Sequence, residues 1–422
     1  YDPFSQKEYY QLFSFFNNVK EKGMEMKGGL SLKSAAKNPL MEISDDDVKN
    51  ILQFINKQDT ARLIVGVMGD QDTVRKTYLL ERGQYDAYGE EVHPGTPAAI
   101  LPFSDTLPKN RYGLAQWLFD RRNPLTARVF VNQIWQEFFG RGIVKTAGDF
   151  GLQGELPSHP ELMDWLAVDF MENGWNIKRL ITQLVTSATY RQSAAITTEK
   201  LRTDPDNILL SRSPRYRIKA EFIRDVVLSS SGLLVKTIGG PSVKPYQPEG
   251  LWEAATAGYG DLTKYKQDHG NSLYRRGLYT FVKRTLPPPS MGIFDASNRD
   301  LCEVSRLLTN TPLQALVMLN DPTVLEASRV LAANLWLEDN AVEEKITKAF
   351  RLIVCRKPTP KEIEILTAYY ALESKSMTKE KAEKLLAIGE YPFPEKEDKI
   401  RMAAAMQVIS AIYNLEETIT KT

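Results

Sequence analysis

The stretch that decides the fold is residues 123–165, NPLTARVFVNQIWQEFFGRGIVKTAGDFGLQGELPSHPELMDW. Ala127, Val131, Ile134, Trp135 and Phe138 recur at helical spacing and define one apolar face. Asn123 is a capping residue, and Pro124 suits a first helical position, which needs no N–H donor. The helix is therefore expected to open there and to end at Gly140 and Gly142. Arg128, Asn132 and Gln136 stand four apart and form a polar file along it. The loop that follows carries Asp149, Glu155 and His159, the last being one of only three histidines in the chain. Ser158 and Glu161 have the spacing of a capping box for a second helix. Two amphipathic helices thus flank a loop with two carboxylates and an imidazole. The pattern marks a place for a site without naming a reaction.

Working outward, the remaining segments predict a predominantly α fold: a multi-helix body with short β-strands and long Pro/Gly-rich loops. Residues 1–20 read as a Tyr/Phe-rich amphipathic helix, with Tyr9, Tyr10, Phe13, Phe15 and Phe16 expected to pack inward. Residues 21–43 read as loop, and Ser44 with three following aspartates as the start of a short helix to about Lys57. Apolar, β-branched runs at 61–68 and 76–81 read as strands, and 89–103 as a Gly/Pro linker. Helices are expected at 111–121, 161–173, 176–189 and 217–233, then an irregular insert at about 236–300 with a strand or hairpin at 272–284. Later helices announce themselves by a capping residue before a proline, at Thr311-Pro312, Asp321-Pro322 and Thr359-Pro360, and a last one covers 399–417. A boundary is placed near residue 105. Beyond it, 110–235 and 301–422 are expected to share one helical body, since both carry long apolar faces that need partners.

With 422 residues, the chain is long enough for two or three domains and a large core. Its net charge of +1 gives no global field toward nucleic acid or an anionic membrane. No apolar run approaches the roughly 18 residues of a membrane span. Cys302 and Cys355 are the only cysteines, too few for a disulfide framework or a four-thiolate zinc site. They are expected as two buried free thiols rather than one bridge. The sequence begins mid-motif at Tyr1 and is read as a piece of a longer precursor, so it is silent on a signal peptide.

Asp149, Glu155 and His159 are the candidate catalytic residues, suited to general acid–base work or to a metal, although no zinc spacing is present. The structural alternative has Asp149 capping a turn, Glu155 pairing with an arginine and His159 at a helix start. Arg128, Asn132 and Gln136 with Trp135 are candidate binding residues for a sugar, with an interhelical polar seam as the alternative. Trp252 is a further aromatic of this kind. Glu221, Arg224 and Asp225 have the spacing of an on-helix ion pair, with a buried network reaching the 128–136 helix as the alternative. Tyr274, Arg275, Arg276, Lys283 and Arg284 read as a charge-guarded strand edge, with a surface for an acidic glycan or a partner as the alternative. No Gly-rich phosphate loop, nucleophile elbow or Cys–His pair occurs.

The motifs at 123–144, at 149–167 (DFGLQGELPSHPELMDWLA) and at 186–193 (TSATYRQS) resemble the planctomycete surface-domain family. So do 274–302 (YRRGLYTFVKRTLPPPSMGIFDASNRDLC), 309–322 (TNTPLQALVMLNDP) and 414–421 (NLEETITK). The resemblance covers roughly 106–422. Residues 1–105, opening YDPFSQKEYYQLFSFF, are similar to the end of the preceding cytochrome-linked module plus a linker. In relatives that segment follows a motif for covalent haem attachment. The resemblance implies an exported protein, periplasmic or at the cell surface, of bacteria that degrade polysaccharides. It implies no cofactor in this chain, haem c upstream of it, and the cytochrome-type module as a partner, with a glycan or protein besides. It implies no activity. Three classes therefore stay open: a docking or scaffolding module, a carbohydrate-active enzyme using the 149–159 loop, and a carbohydrate-binding module.

Overall fold

Why helices dominate is visible at their starts. Ser5 and Glu8 close a capping box around α1 (Gln6–Ser14), and Asn110 accepts from Tyr112 N and Gly113 N at the head of α2 (Arg111–Leu118). These side chains satisfy amide donors that the first turn leaves unpaired. The computed structural model describes residues 3–20, 40–43, 63–256, 263–394 and 398–421. Those residues fall into two compact units, divided between Pro214 and Arg215.

In the first unit, β1 (Leu40–Ile43) pairs antiparallel with β2 (Leu63–Gly66), and β3 (Thr77–Leu80) with β4 (Tyr88–Val92). After α2 come α3 (Thr126–Phe139), α4 (Pro160–Glu172), α5 (Ile177–Thr186), α6 (Ala188–Arg191) and α7 (Thr198–Thr203). Val131, Trp135 and Phe139 of α3 meet Met163, Leu166 and Phe170 of α4 in one core, closed by Leu180 and Leu184 of α5. Each such buried side chain contributes about 1.5–3 kcal/mol. A smaller core joins Phe15, just after α1, to Leu114 and Trp117 of α2.

The second unit contains β5 (Tyr216–Arg217), α8 (Ala220–Ser231), α9 (Leu251–Thr256), α10 (Pro289–Ile293), α11 (Pro312–Asn320) and α12 (Pro322–Trp336). It continues with α13 (Val342–Ile353), α14 (Pro360–Ser376), α15 (Lys379–Leu386), α16 (Lys399–Tyr413), α17 (Glu416–Ile419) and β6 (Thr420–Lys421). β5 and β6 pair antiparallel. At its centre α12 packs on α16 through Ala327, Val330 and Leu331 against Ala403, Met406 and Ile409. Ten of the fifteen residues of α16 are buried, so this helix is enclosed rather than amphipathic.

The fold class is as expected, and several local readings are corrected. The 126–139 helix does not open at Asn123-Pro124. Asn123 is buried, and its Oδ1 accepts from Leu125 N and Thr126 N at 3.0 and 3.3 Å, shaping the turn before the helix. The Ser158–Glu161 capping box does not form. Ser158 Oγ donates to Ile143 O at 3.2 Å, and His159 is the N-cap residue, its side chain making no capping bond. Part of the 21–43 loop is strand β1, and part of the 89–103 linker is strand β4; the helix expected at 44–57 lies outside the described residues. No hairpin occurs at 272–284. Two 3-10 turns, Gly270–Tyr274 and Gly277–Tyr279, stand there instead. Gly277 sits so close to α8 that a Cβ would meet Glu221 O at 2.5 Å, and Asp225 holds Gly277 N at 2.7 Å. Tertiary contact with α8 thus bends a segment whose alternation reads as a strand. Residues 110–214 belong with the N-terminal segment, and 215–235 with 301–421. Both cysteines are free, and both are exposed.

Candidate functional site

The 140–160 loop is organised by a buried amide. Asn132 is fully enclosed; its Nδ2 donates to Val144 O at 3.0 Å and its Oδ1 accepts from Val144 N at 2.9 Å. Gly142 lets the chain pass: a Cβ there would lie 2.7 Å from Asn132 Nδ2. Farther along, Thr146 Oγ1 donates to Asp149 O at 2.8 Å and accepts from Glu155 N at 2.9 Å.

The three loop candidates each have their own tie. Asp149 Oδ1 accepts from Gly151 N at 2.8 Å, a local turn bond. Glu155 lies 3.3 Å from Lys145 Nζ and 3.8 Å from Arg141 Nη2, both partly exposed pairs. His159 Nδ1 is 3.0 Å from Ser158 Oγ. No hydrogen bond or ion pair joins any two of them, and among the described residues no group of three or more His, Cys, Asp or Glu could hold a metal.

The polar file is likewise engaged. Arg128 Nε donates to Asp164 Oδ1 at 2.7 Å and its Nη1 to Pro124 O at 2.6 Å. Asn132 serves the loop, and Gln136 is half-buried. Trp135 is buried and stacks on Phe139 with centroids 4.1 Å apart. Trp252 is buried too. Neither indole presents an open face to a sugar.

Concave surfaces occur in both units. The first unit has an apolar groove of about 560 Å³ among α1, α2 and α3. Leu12, Phe16, Trp117, Leu118, Val129 and Phe130 line it. Phe16 is 46% and Leu118 38% exposed, large values for apolar side chains beside a core.

The second unit holds a cavity of about 60 Å³ between α8, the 245–247 segment and the start of α12. Its apolar wall includes Ile223, Met291, Phe294 and Met318. Its polar wall brings together Arg224, Gln247, Tyr265, Thr280, Ser290 and Asp321. Arg224 donates from Nε to Arg275 O at 3.3 Å, from Nη1 to Thr323 Oγ1 at 3.4 Å and from Nη2 to Leu273 O. Burial pulls its pKa below the ordinary value, opposed first by the charge of Asp321. Asp321 Oδ1 accepts from Thr323 N at 2.8 Å. Tyr265 donates to Pro245 O at 2.5 Å, and burial pushes its phenol upward. Thr280 Oγ1 and Gln247 Nε2 are buried and have no protein partner among the described residues.

These residues are not the ones the sequence singled out. Arg224 does not pair along its helix. Glu221 pairs with Arg306 at 2.9 Å, and Asp225 with Arg276 at 2.7 Å. One signal was available: Arg224 interrupts the apolar face formed by Ala220, Ile223 and Val227, where a charge is costly without a purpose. Arg275 is no guard of an exposed edge. It is buried, donates to the carbonyls of Thr237, Gly239 and Pro241, and lies 3.7 Å from the Tyr279 ring centre.

A predominantly helical chain with one cavity-bearing unit and one grooved unit defines a class of architecture, not an activity. Residues 110–370 match the family described as PSD1, protein of unknown function (DUF1553), and the chain belongs to that family. No curated protein and no solved structure matches it. Among the described residues, no helix is long and apolar enough to cross a membrane.

Proposed function

We propose that this chain is a docking module of an exported, cytochrome-associated bacterial protein, and that the cytochrome-type module of the same protein covers the groove of the first unit. The observation that carries this reading is the seat of α1. By resemblance, α1 is the end of that cytochrome-linked module. Phe15, at its C-terminal cap, packs on Leu114 and Trp117, while Leu12 and Phe16 form one wall of the groove. The groove is therefore continuous with the contact that α1 makes with α2. Tyr9, Phe13 and Phe16 are exposed, contrary to the expectation that all five aromatics pack inward; only Tyr10 and Phe15 are buried. A partner that covers the exposed rings would gain their burial.

The setting that goes with this reading is the periplasm or cell surface of a polysaccharide-degrading bacterium. Haem belongs to the upstream module, since Cys302 and Cys355 stand apart from any Cys-x-x-Cys-His motif. A carbohydrate-active reading would have to draw Asp149, Glu155 and His159 away from their present ties, and a carbohydrate-binding one would have to uncover Trp135 or Trp252.

Side-chain footprinting by a photogenerated carbene tests the proposal. Phe16 and Leu118 should label readily in the 422-residue chain and be protected in the parent protein, while Tyr85, 83% exposed, labels equally in both. Equal labelling of Phe16 and Leu118 in both preparations would overturn it.

A further inference from the structure

The cavity of the second unit is independent of the groove and poses a different question. Arg224 is partly buried, and a guanidinium drawn out of water is costly unless an anion faces it. Among the described residues no carboxylate forms an ion pair with Arg224, whose three hydrogen bonds all go to neutral oxygens. Those bonds take one N–H on each nitrogen, so each Nη keeps a further donor. Gln247 Nε2 adds a donor and Thr280 Oγ1 a hydroxyl, both without a partner among the described residues. One side of the cavity is thus short of acceptors.

The opposite need is present as well. Asp321 lines the same cavity and feels the charge of Arg224, yet the two do not pair. Its Oδ1 caps α12 at Thr323 N, which leaves Oδ2 for a cationic or hydroxyl donor. Opposite charges held apart in one wall, with Ile223, Met291 and Met318 beside them, form a site for a molecule carrying both charges and a short apolar branch. Size narrows the class. About 60 Å³ corresponds to roughly four to six waters. We propose that this cavity binds a small zwitterionic α-amino acid of about the size of alanine, its carboxylate on Arg224 and Gln247, its ammonium on Asp321, and its side chain against Met291 and Met318.

Titration calorimetry on the 422-residue chain with L-alanine, propionate and ethylamine as probes tests this. L-alanine should bind saturably and at least about tenfold more tightly than either half-molecule. Asp321→Asn keeps an oxygen for the Thr323 cap but removes the charge. It should abolish the preference of alanine over propionate while thermal unfolding shows a folded protein. Thr280→Val, which removes the unpartnered hydroxyl at similar shape, should weaken alanine binding severalfold without loss of fold. Absence of saturable binding, as for a cavity that holds only water, would overturn the proposal. So would alanine binding that is unchanged in Asp321→Asn.

Discussion

At the residue scale, Asn132 shows how one side chain organises a segment. Its amide replaces a missing strand partner for Val144, both as donor and as acceptor. Asn132→Ala leaves a buried N–H and a buried C=O unpaired, and should cost about 1–3 kcal/mol in denaturant unfolding. A loss below about 0.5 kcal/mol would show that water replaces the amide. From the sequence, Asn132 read as part of a polar file because helical spacing reports which residues share a side, not which of them a later loop will cover. Arg224 failed in the same way. Its on-helix partners were nearer in sequence, but Arg306 and Arg276 reach Glu221 and Asp225 from elsewhere in the fold.

Among the elements, local signals were legible where they are self-contained. Thr311-Pro312, Asp321-Pro322 and Thr359-Pro360 all start helices as their chemistry requires, since cap and proline act within one turn. Asn123-Pro124 has the same letters and starts none, because Asn123 is drawn into the preceding turn. The capping box of α14 also has a tertiary extension. Glu362 accepts from Thr359 N, and it shares Arg356 with Glu417, each carboxylate 2.6 Å away. The Arg356 hydrogen bond holds the Glu362 carboxyl down at about 2, against 4.5 ordinarily. A depressed carboxylate stabilises the fold above its unfolded pKa, and that contribution is lost as pH falls toward the folded one. Comparing wild type with Glu362→Gln should therefore show a constant difference above about pH 5 that shrinks steadily toward pH 3. Solvent screening at this partly exposed site limits it to about 1–2 kcal/mol. A difference that stays flat across this range would mean the ion pair contributes nothing.

For the whole molecule, composition and periodicity sufficed for a predominantly helical chain, but not for where it divides. The division at 214/215 follows from which apolar faces find each other: Ala220, Ile223 and Val227 of α8 join the α12–α16 core, while α3, α4 and α5 close their own. The groove was equally illegible, because Leu12, Leu118 and Val129 come from three helices that share no local pattern. That groove carries the central claim, that this chain works by docking the cytochrome-type module of its parent protein. The most direct measurement is the equilibrium affinity between the 422-residue chain and that module supplied separately, for wild type and for Phe16→Asp. Phe16 is half-exposed, so the variant should unfold at nearly the wild-type temperature. The account predicts saturable binding that Phe16→Asp weakens at least about tenfold. No binding, or binding indifferent to Phe16→Asp in a folded variant, would contradict it.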